Sequence, residues 1–225
     1  SAPQPQLNTA EHMQYMNGYT DGTFGPSRSM TRSEAAAIFA RLLAEKNGDT
    51  ISTAATTKFA DIPAHAWYSG YVKYLSNNGI TYGKSKTVFA PNDAITRAEF
   101  TTMAVRFFDV YGDGDAEIME QFSGFNDVSS GYWAAEYIKY AALHGWINGY
   151  GDGSFHADRE INRAEVVTIV NRLLGREADE DYIADNLRKL NTFPDVSRKH
   201  WAYYAVMEAA NAHTAVLGES ESWSK

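Results

Sequence analysis

The sequence predicts a mainly α-helical protein of three pseudo-symmetric helix-loop-helix units. They form a closed body in which the C-terminal helix completes an N-terminal half-unit. Three observations predict this. First, Thr31-Arg32-Ser33-Glu34, Thr96-Arg97-Ala98-Glu99 and Asn162-Arg163-Ala164-Glu165 are one word repeated at steps of 65 and 66 residues. Second, Phe59-Ala60-Asp61, Phe125-Asn126-Asp127 and Phe193-Pro194-Asp195 recur at steps of 66 and 68, each with a tryptophan eight residues after its Phe: Trp67, Trp133 and Trp201. Third, the ends are complementary. The first copy starts at its loop, Gly18 to Phe24, and the last stops after its Trp-led helix. Fixed-period self-similarity is the mark of a repeat architecture, whose units bury their apolar faces against neighbours.

Taken in order, residues 1–6 read as a linker end, and the chain as a piece of a larger protein. Residues 7–57 form unit 1, completed by 191–217; 58–123 form unit 2; 124–190 form unit 3; 218–225 are a tail, polar except for Trp223. Each unit has a Phe-x-Asp turn, a Trp-led helix, a Gly-rich loop and a second helix. In unit 3 the Trp-led helix has a face of Trp133, Tyr137, Ile138, Ala141 and Ala142, with Gly145 as its C-terminal stop. The loop Asn148 to Phe155 carries Gly149, Gly151 and Gly153, and Asp152-Gly153 is a turn pair. Asn162 stands three before Glu165, the signature of a reciprocal cap. Val166, Ile169, Val170, Leu173 and Leu174 then recur at helical spacing. Residues 46–58 read as a loop. Between 176 and 191, Tyr182, Ile183, Leu187 and Leu190 predict a short accessory helix.

The net charge of −8 argues against nucleic acid and against electrostatic attachment to an anionic membrane. An anionic partner must be met by local clusters of Arg or Lys. No cysteine is present, which excludes disulfides and thiolate chemistry. No run of about 18 apolar residues exists to insert in a membrane. The composition is globular and rich in aromatics, with 14 Tyr, 11 Phe and 5 Trp.

Together, Gly18 to Phe24, Ile95 to Phe100 and Phe125 to Glu165 resemble the S-layer homology (SLH) domain. That family's pattern is Phe-x-Asp-Val, a Trp-led helix, Gly-Tyr-x-Asp-Gly-Thr-Phe, then Ile-Thr-Arg-Ala-Glu. The likeness covers roughly residues 7–217. It implies a module that anchors exported bacterial proteins at the cell wall, outside the cell. The implied partner is secondary cell-wall polysaccharide, often pyruvylated, bound in grooves between units with the motif arginine meeting the carboxylate. Two copies depart from the pattern. The middle loop, Tyr82 to Phe89, lacks the Gly-Tyr-x-Asp-Gly word, and the third copy has Asn162 for Thr, with His156 and Ala157 in its turn.

The candidate glycan-binding residues are Arg32, Arg97, Arg163, Trp67, Trp133, Trp201, Asp21, Asp152, Gly22, Gly153, Tyr19 and Tyr150. A cation at the first position of a helix faces an already positive terminus and calls for an acceptor. That acceptor is either a bound carboxylate, which would also meet free backbone N–H groups, or a structural partner such as Asp21, Asp152 or a neighbouring unit's carboxylate. The tryptophans, and more weakly Tyr19, Tyr82 and Tyr150, either stack on sugar rings or pack in the core. Glu34, Glu99 and Glu165 read as capping residues rather than acid/base catalysts, and Asp61, Asp127 and Asp195 as caps or turn anchors. Asp109 to Glu120 imitates a calcium loop, but Tyr111 stands where an oxygen ligand is needed. The six histidines show no metal spacing, and no nucleophile or phosphate-loop word is present. The expectation is therefore a non-enzymatic module without cofactor or metal. Two other readings stay open: a protein-interaction or self-assembly module, and a wall hydrolase with paired carboxylates in a cleft.

Overall fold

The computed structural model describes residues 10–109, 124–217 and 221–224. Most of the calcium-loop imitation, from residue 110 on, lies outside them. The described chain is mainly helical, with seven α-helices and a small three-stranded sheet that the sequence did not suggest. In order these are β1 (Glu11–His12), α1 (Arg32–Asn47), α2 (Ser69–Asn77), α3 (Arg97–Asp109), α4 (Ala135–Leu143), α5 (Arg163–Leu174), α6 (Glu180–Asn186), α7 (Tyr203–Ala210), β2 (His213–Leu217) and β3 (Glu221–Ser224). None is long and apolar enough to cross a membrane.

The chain divides into two compact bodies. One comprises Ser29–Ile161, where α1 packs on α2 and α3, and α3 on α4. The other joins Gln6–Arg28 to Asn162–Lys225, where α5 packs on α7 beside the antiparallel sheet β1-β2-β3.

The motif helices α1, α3 and α5 all begin at the motif arginine. Thr31 and Asn162 close reciprocal caps with Glu34 and Glu165. Thr96 and Glu99 do the same: Thr96 N–H donates to Glu99 Oε2 at 3.0 Å, and Glu99 N–H to Thr96 Oγ1 at 3.2 Å. α1 and α5 end at left-handed Gly48 and Gly175. Met30, Ile95 and Ile161, each just before a cap, bond in a ring. The N–H of Met30 reaches Ile161, that of Ile161 reaches Ile95, and that of Ile95 reaches Met30, at 2.9–3.0 Å. All three side chains are fully buried. A local three-fold thus satisfies backbone groups that burial would otherwise leave unpaired.

The Trp-led helices start two residues later than their tryptophans, at Ser69, Ala135 and Tyr203. A tight turn precedes each, so the indole precedes the helix instead of lying on its face. Gly79 and Gly145 are left-handed just past α2 and α4, as Gly145 was expected to be. The accessory helix forms as α6, capped by Asp179, whose carboxylate accepts from the N–H of Tyr182 at 2.8 Å and of Trp223 at 2.9 Å. Trp223 docks: it is buried in β3 and stacks on His213.

Candidate functional site

The Phe-x-Asp aspartates are turn anchors and not helix caps. Asp61 accepts from the N–H of Phe89 and Ala90, Asp127 from Phe155 and His156, and Asp195 from Phe24 and Gly25, at 2.6–2.9 Å for the shortest bonds. The last pair joins the C-terminal word to the first loop. Burial opposes ionisation of Asp127 and Asp195, but the two loop N–H groups outweigh it and hold both pKa values below the ordinary carboxylate range. The residue after each loop Phe is left-handed: Gly25, Ala90 and His156.

Each motif arginine is about 95% buried and fastened by backbone. Arg32 Nε donates to the carbonyl of Phe89 at 2.7 Å, Arg97 Nε to Phe155 at 2.9 Å, and Arg163 Nε to Phe24 at 2.8 Å. Arg97 and Arg163 also reach the carbonyls of Asn148 (3.2 Å) and Asn17 (2.5 Å). The main chain repeats the pattern. The N–H groups of Arg32 and Ser33 go to Asp93 and Pro91, those of Arg97 and Ala98 to Arg159 and Ala157, and those of Arg163 and Ala164 to Arg28 and Pro26. This corrects the expectation of free N–H groups awaiting a carboxylate. The helix N-termini are already satisfied by loop carbonyls, and the guanidinium groups pin those same loops. Arg32 also forms a structural ion pair: its Nη1 lies 2.8 Å from Glu99 Oε1, while the other oxygen of Glu99 closes its cap.

Asp21 and Asp152 shape the loops. Each accepts from the N–H (2.9 Å) and hydroxyl (2.6 Å) of Thr23 or Ser154, and these bonds lower both carboxyl pKa values. Gly22 and Gly153 are left-handed, at φ 83° and 80°. Tyr19 and Tyr150 lie beside Arg163 and Arg97, 4.7 and 5.1 Å from the guanidinium carbons. Trp67, Trp133 and Trp201 are 54, 56 and 65% exposed, so they are not core residues.

Within the Ser29–Ile161 body, one cleft of about 400 Å³ gathers these features. Arg32 lies at its base. Thr81, Tyr82, Gly83 and Lys84 come from the loop, Glu99, Thr102, Met103 and Arg106 from α3, and Trp133 from the turn before α4. Arg106 lies across the rings of Tyr82 (4.7 Å) and Tyr137 (5.0 Å) and donates to the Tyr137 hydroxyl at 3.2 Å. Lys84 Nζ is 2.8 Å from Asp93 at an exposed position. Thr102 presents a buried hydroxyl with no hydrogen-bond partner. The cleft thus joins three cations, one carboxylate and two exposed aromatic faces, in a chain whose net charge is −8. That arrangement suits an anionic ligand with flat apolar faces.

The middle loop departs in sequence but keeps its path. A Cβ at Gly83 would meet the Phe59 ring and the Val88 carbonyl, as one at Gly149 would meet Phe125 and Ser154. The N–H of Lys84 donates to Val88, that of Tyr150 to Ser154 and that of Tyr19 to Thr23. Lys84 is therefore the counterpart of Tyr19 and Tyr150, and Tyr82 stands two places earlier, opposite Asn17 and Asn148. Lys84 and Arg106 escaped sequence reasoning. A signal for Arg106 existed: Arg41, Arg106 and Arg172 each follow a motif arginine by nine residues.

The S-layer homology domain pattern matches residues 2–36, 58–101 and 124–167, more than half of the chain. Cell surface glycoprotein 1 of Acetivibrio thermocellus is 33% identical over 219 residues, covering 94% of this chain and 9% of that protein. The cellulosome-anchoring protein of the same organism is 31% identical over 214 residues, covering 94% of this chain and 45% of its own length. The surface-layer 125 kDa protein of Lysinibacillus sphaericus is 31% identical over 163 residues, covering 71% of this chain and 13% of its own length. The chain thus spans less than half of each of these relatives. It belongs to the S-layer homology family, as a three-domain module of bacterial cell-surface and anchoring proteins.

Proposed function

We propose that the module is a non-catalytic anchor that holds an exported protein to the bacterial wall by binding secondary cell-wall polysaccharide, with pyruvylated or otherwise anionic sugars as its ligand. The cleft at Arg32 carries this reading. Trp133 and Tyr82 offer faces for sugar rings, and Lys84 and Arg106 offer charge-assisted donors to a carboxylate. Arg32, Arg97 and Arg163 shape the loops, with Arg32 also forming the floor of its cleft. A non-catalytic role agrees with Glu34, Glu99 and Glu165 being engaged in caps. The expectation that three units close on one another draws support from the ring at Met30, Ile95 and Ile161 and from Asp195 on the first loop. Several weak clefts on one polymer would add avidity without new contacts.

The test is co-sedimentation with purified bacterial walls, before and after the non-peptidoglycan polymer is stripped. Wild type should bind only unstripped walls. Trp133→Ala and Arg106→Ala should each weaken binding at least about tenfold, the loss of one stacked ring or one charged hydrogen bond, at an unchanged melting temperature. Replacing Arg32, Arg97 and Arg163 instead would confound the result, because their loss would loosen the loops. Binding that survives stripping would point to the second reading, a protein-interaction or self-assembly module. Equal binding by all variants would place the glycan elsewhere.

A further inference from the structure

Four ligand-bearing side chains meet in the body that joins Gln6–Arg28 to Asn162–Lys225, apart from the residues of the cleft. They are His12 on β1, Glu208 on α7, His213 on β2 and Glu221 on β3, all buried, with ligand atoms within 4.8 Å of one another. Strand pairing brings them together, since His12 stands opposite His213 in the β1–β2 register. His12 Nδ1 is 3.0 Å from His213 Nε2, and 3.2 Å from both Glu208 Oε1 and Glu221 Oε1. His213 Nε2 is 3.3 Å from Glu208 Oε2 and from Glu221 Oε1. Nitrogen and oxygen ligands around a tetrahedral ion, at about 2.0–2.1 Å each, stand about 3.3 Å from one another.

Hydrogen bonds join His12 Nδ1 to His213 Nε2 and His213 Nε2 to Glu221 Oε1, but leave Glu208 out. Both oxygens of Glu208 are buried without a hydrogen-bond partner, although imidazole nitrogens stand beside them. An ionised carboxylate placed so is costly unless another charge meets it. The surroundings point the ligands inward. His213 Nδ1 lies 2.9 Å from the Asn211 carbonyl, which can only accept, so in the neutral imidazole the proton sits on Nδ1 and Nε2 keeps a lone pair. Trp223 Nε1–H and the Glu177 N–H donate to the two oxygens of Glu221 at 3.0 and 2.9 Å, which fixes that carboxylate. Two carboxylates and two neutral imidazoles carry two negative charges, which a dication cancels. A competing cation is Arg176, buried and donating to the Met13 carbonyl at 3.3 Å.

We propose that His12, Glu208, His213 and Glu221 bind one divalent transition-metal ion, zinc by ligand set and geometry, as a closed structural site. Calcium and magnesium want six or more oxygens, which this site lacks. Four protein ligands without an open position denote a structural and not a catalytic ion. The ion would tie β1, β2, β3 and α7 together, linking segments some two hundred residues apart in sequence.

The test uses the untagged 225-residue chain, dialysed against a strong chelator and then titrated with Zn²⁺ or Co²⁺. One equivalent of Co²⁺ should give the intense visible bands of a tetrahedral site, bleached by one equivalent of Zn²⁺. The melting midpoint should rise by about 10 °C at a thousandfold excess of Zn²⁺ over its dissociation constant. Glu208→Gln and His213→Gln should each abolish the cobalt bands. No bands and no zinc-dependent shift in wild type would overturn the proposal and leave a protonated His–Glu network balanced by Arg176. Bands that persist in both variants would also overturn it.

Discussion

At the residue scale, the glycine and aspartate positions of the loops do not cost the same to change. Gly22→Ala meets nothing within 4 Å and faces only its φ of 83°, so a loss of about 1 kcal/mol is expected. Gly83→Ala adds a collision with the Phe59 ring and the Val88 carbonyl to a φ of 79°, and should lose about 3 kcal/mol or more. Thermal melting of the two variants checks the ranking. Ala90 occupies a left-handed site at φ 59°, so Ala90→Gly should relieve more strain than it adds in chain entropy, a gain of about 0.5–1 kcal/mol. Asp127 is one of the carboxylates that contribute to the pH dependence. Its folded pKa is depressed, so its contribution is full above the unfolded carboxylate value and is lost as pH falls through the folded one. Asp127→Ala should cost about 2 kcal/mol near neutrality, for two bonds to a charged acceptor, and flatten the acid limb of a stability–pH curve.

At the element scale, the reciprocal caps at α1, α3 and α5 are joined to the neighbouring loops by backbone donors and a motif arginine. Glu99 has two duties, since one oxygen caps α3 and the other meets Arg32. Thr96→Ala removes only the side-chain acceptor of the cap and should cost about 1 kcal/mol. Glu99→Ala removes the returning bond and the partly buried ion pair, leaves Arg32 less compensated, and should cost more than Thr96→Ala by urea denaturation. Equal losses would mean that the Arg32–Glu99 pair contributes nothing net.

For the whole molecule, the proposed anchoring sets a chain of net charge −8 against an anionic polymer. Long-range repulsion and short-range attraction then oppose each other. Raising salt from about 10 to 150 mM shortens the screening length from about 30 to 8 Å, which suppresses the first far more than the second. Wall capture should therefore strengthen over that range. Steady weakening would show that the cations of the cleft dominate at long range as well.

What the sequence determined by itself was the repeat. Helix-start words at steps of 65 and 66 residues located α1, α3 and α5, and the Phe-to-Trp spacing located α2, α4 and α7 to within two residues, because caps and apolar periodicity are local signals. The same words identified the family. Tertiary structure decided where each conspicuous residue lies and what it touches. The Nε of each motif arginine donates to a carbonyl 57, 58 or 139 residues away, a fastening that no local pattern reveals. The tryptophans could have faced either way until the preceding turns set them outside the helices. Lys84 and Arg106 line one cleft only because a loop meets the far end of a helix. His12, Glu208, His213 and Glu221 lack any recognisable spacing because strand pairing, and not a continuous segment, brings them together.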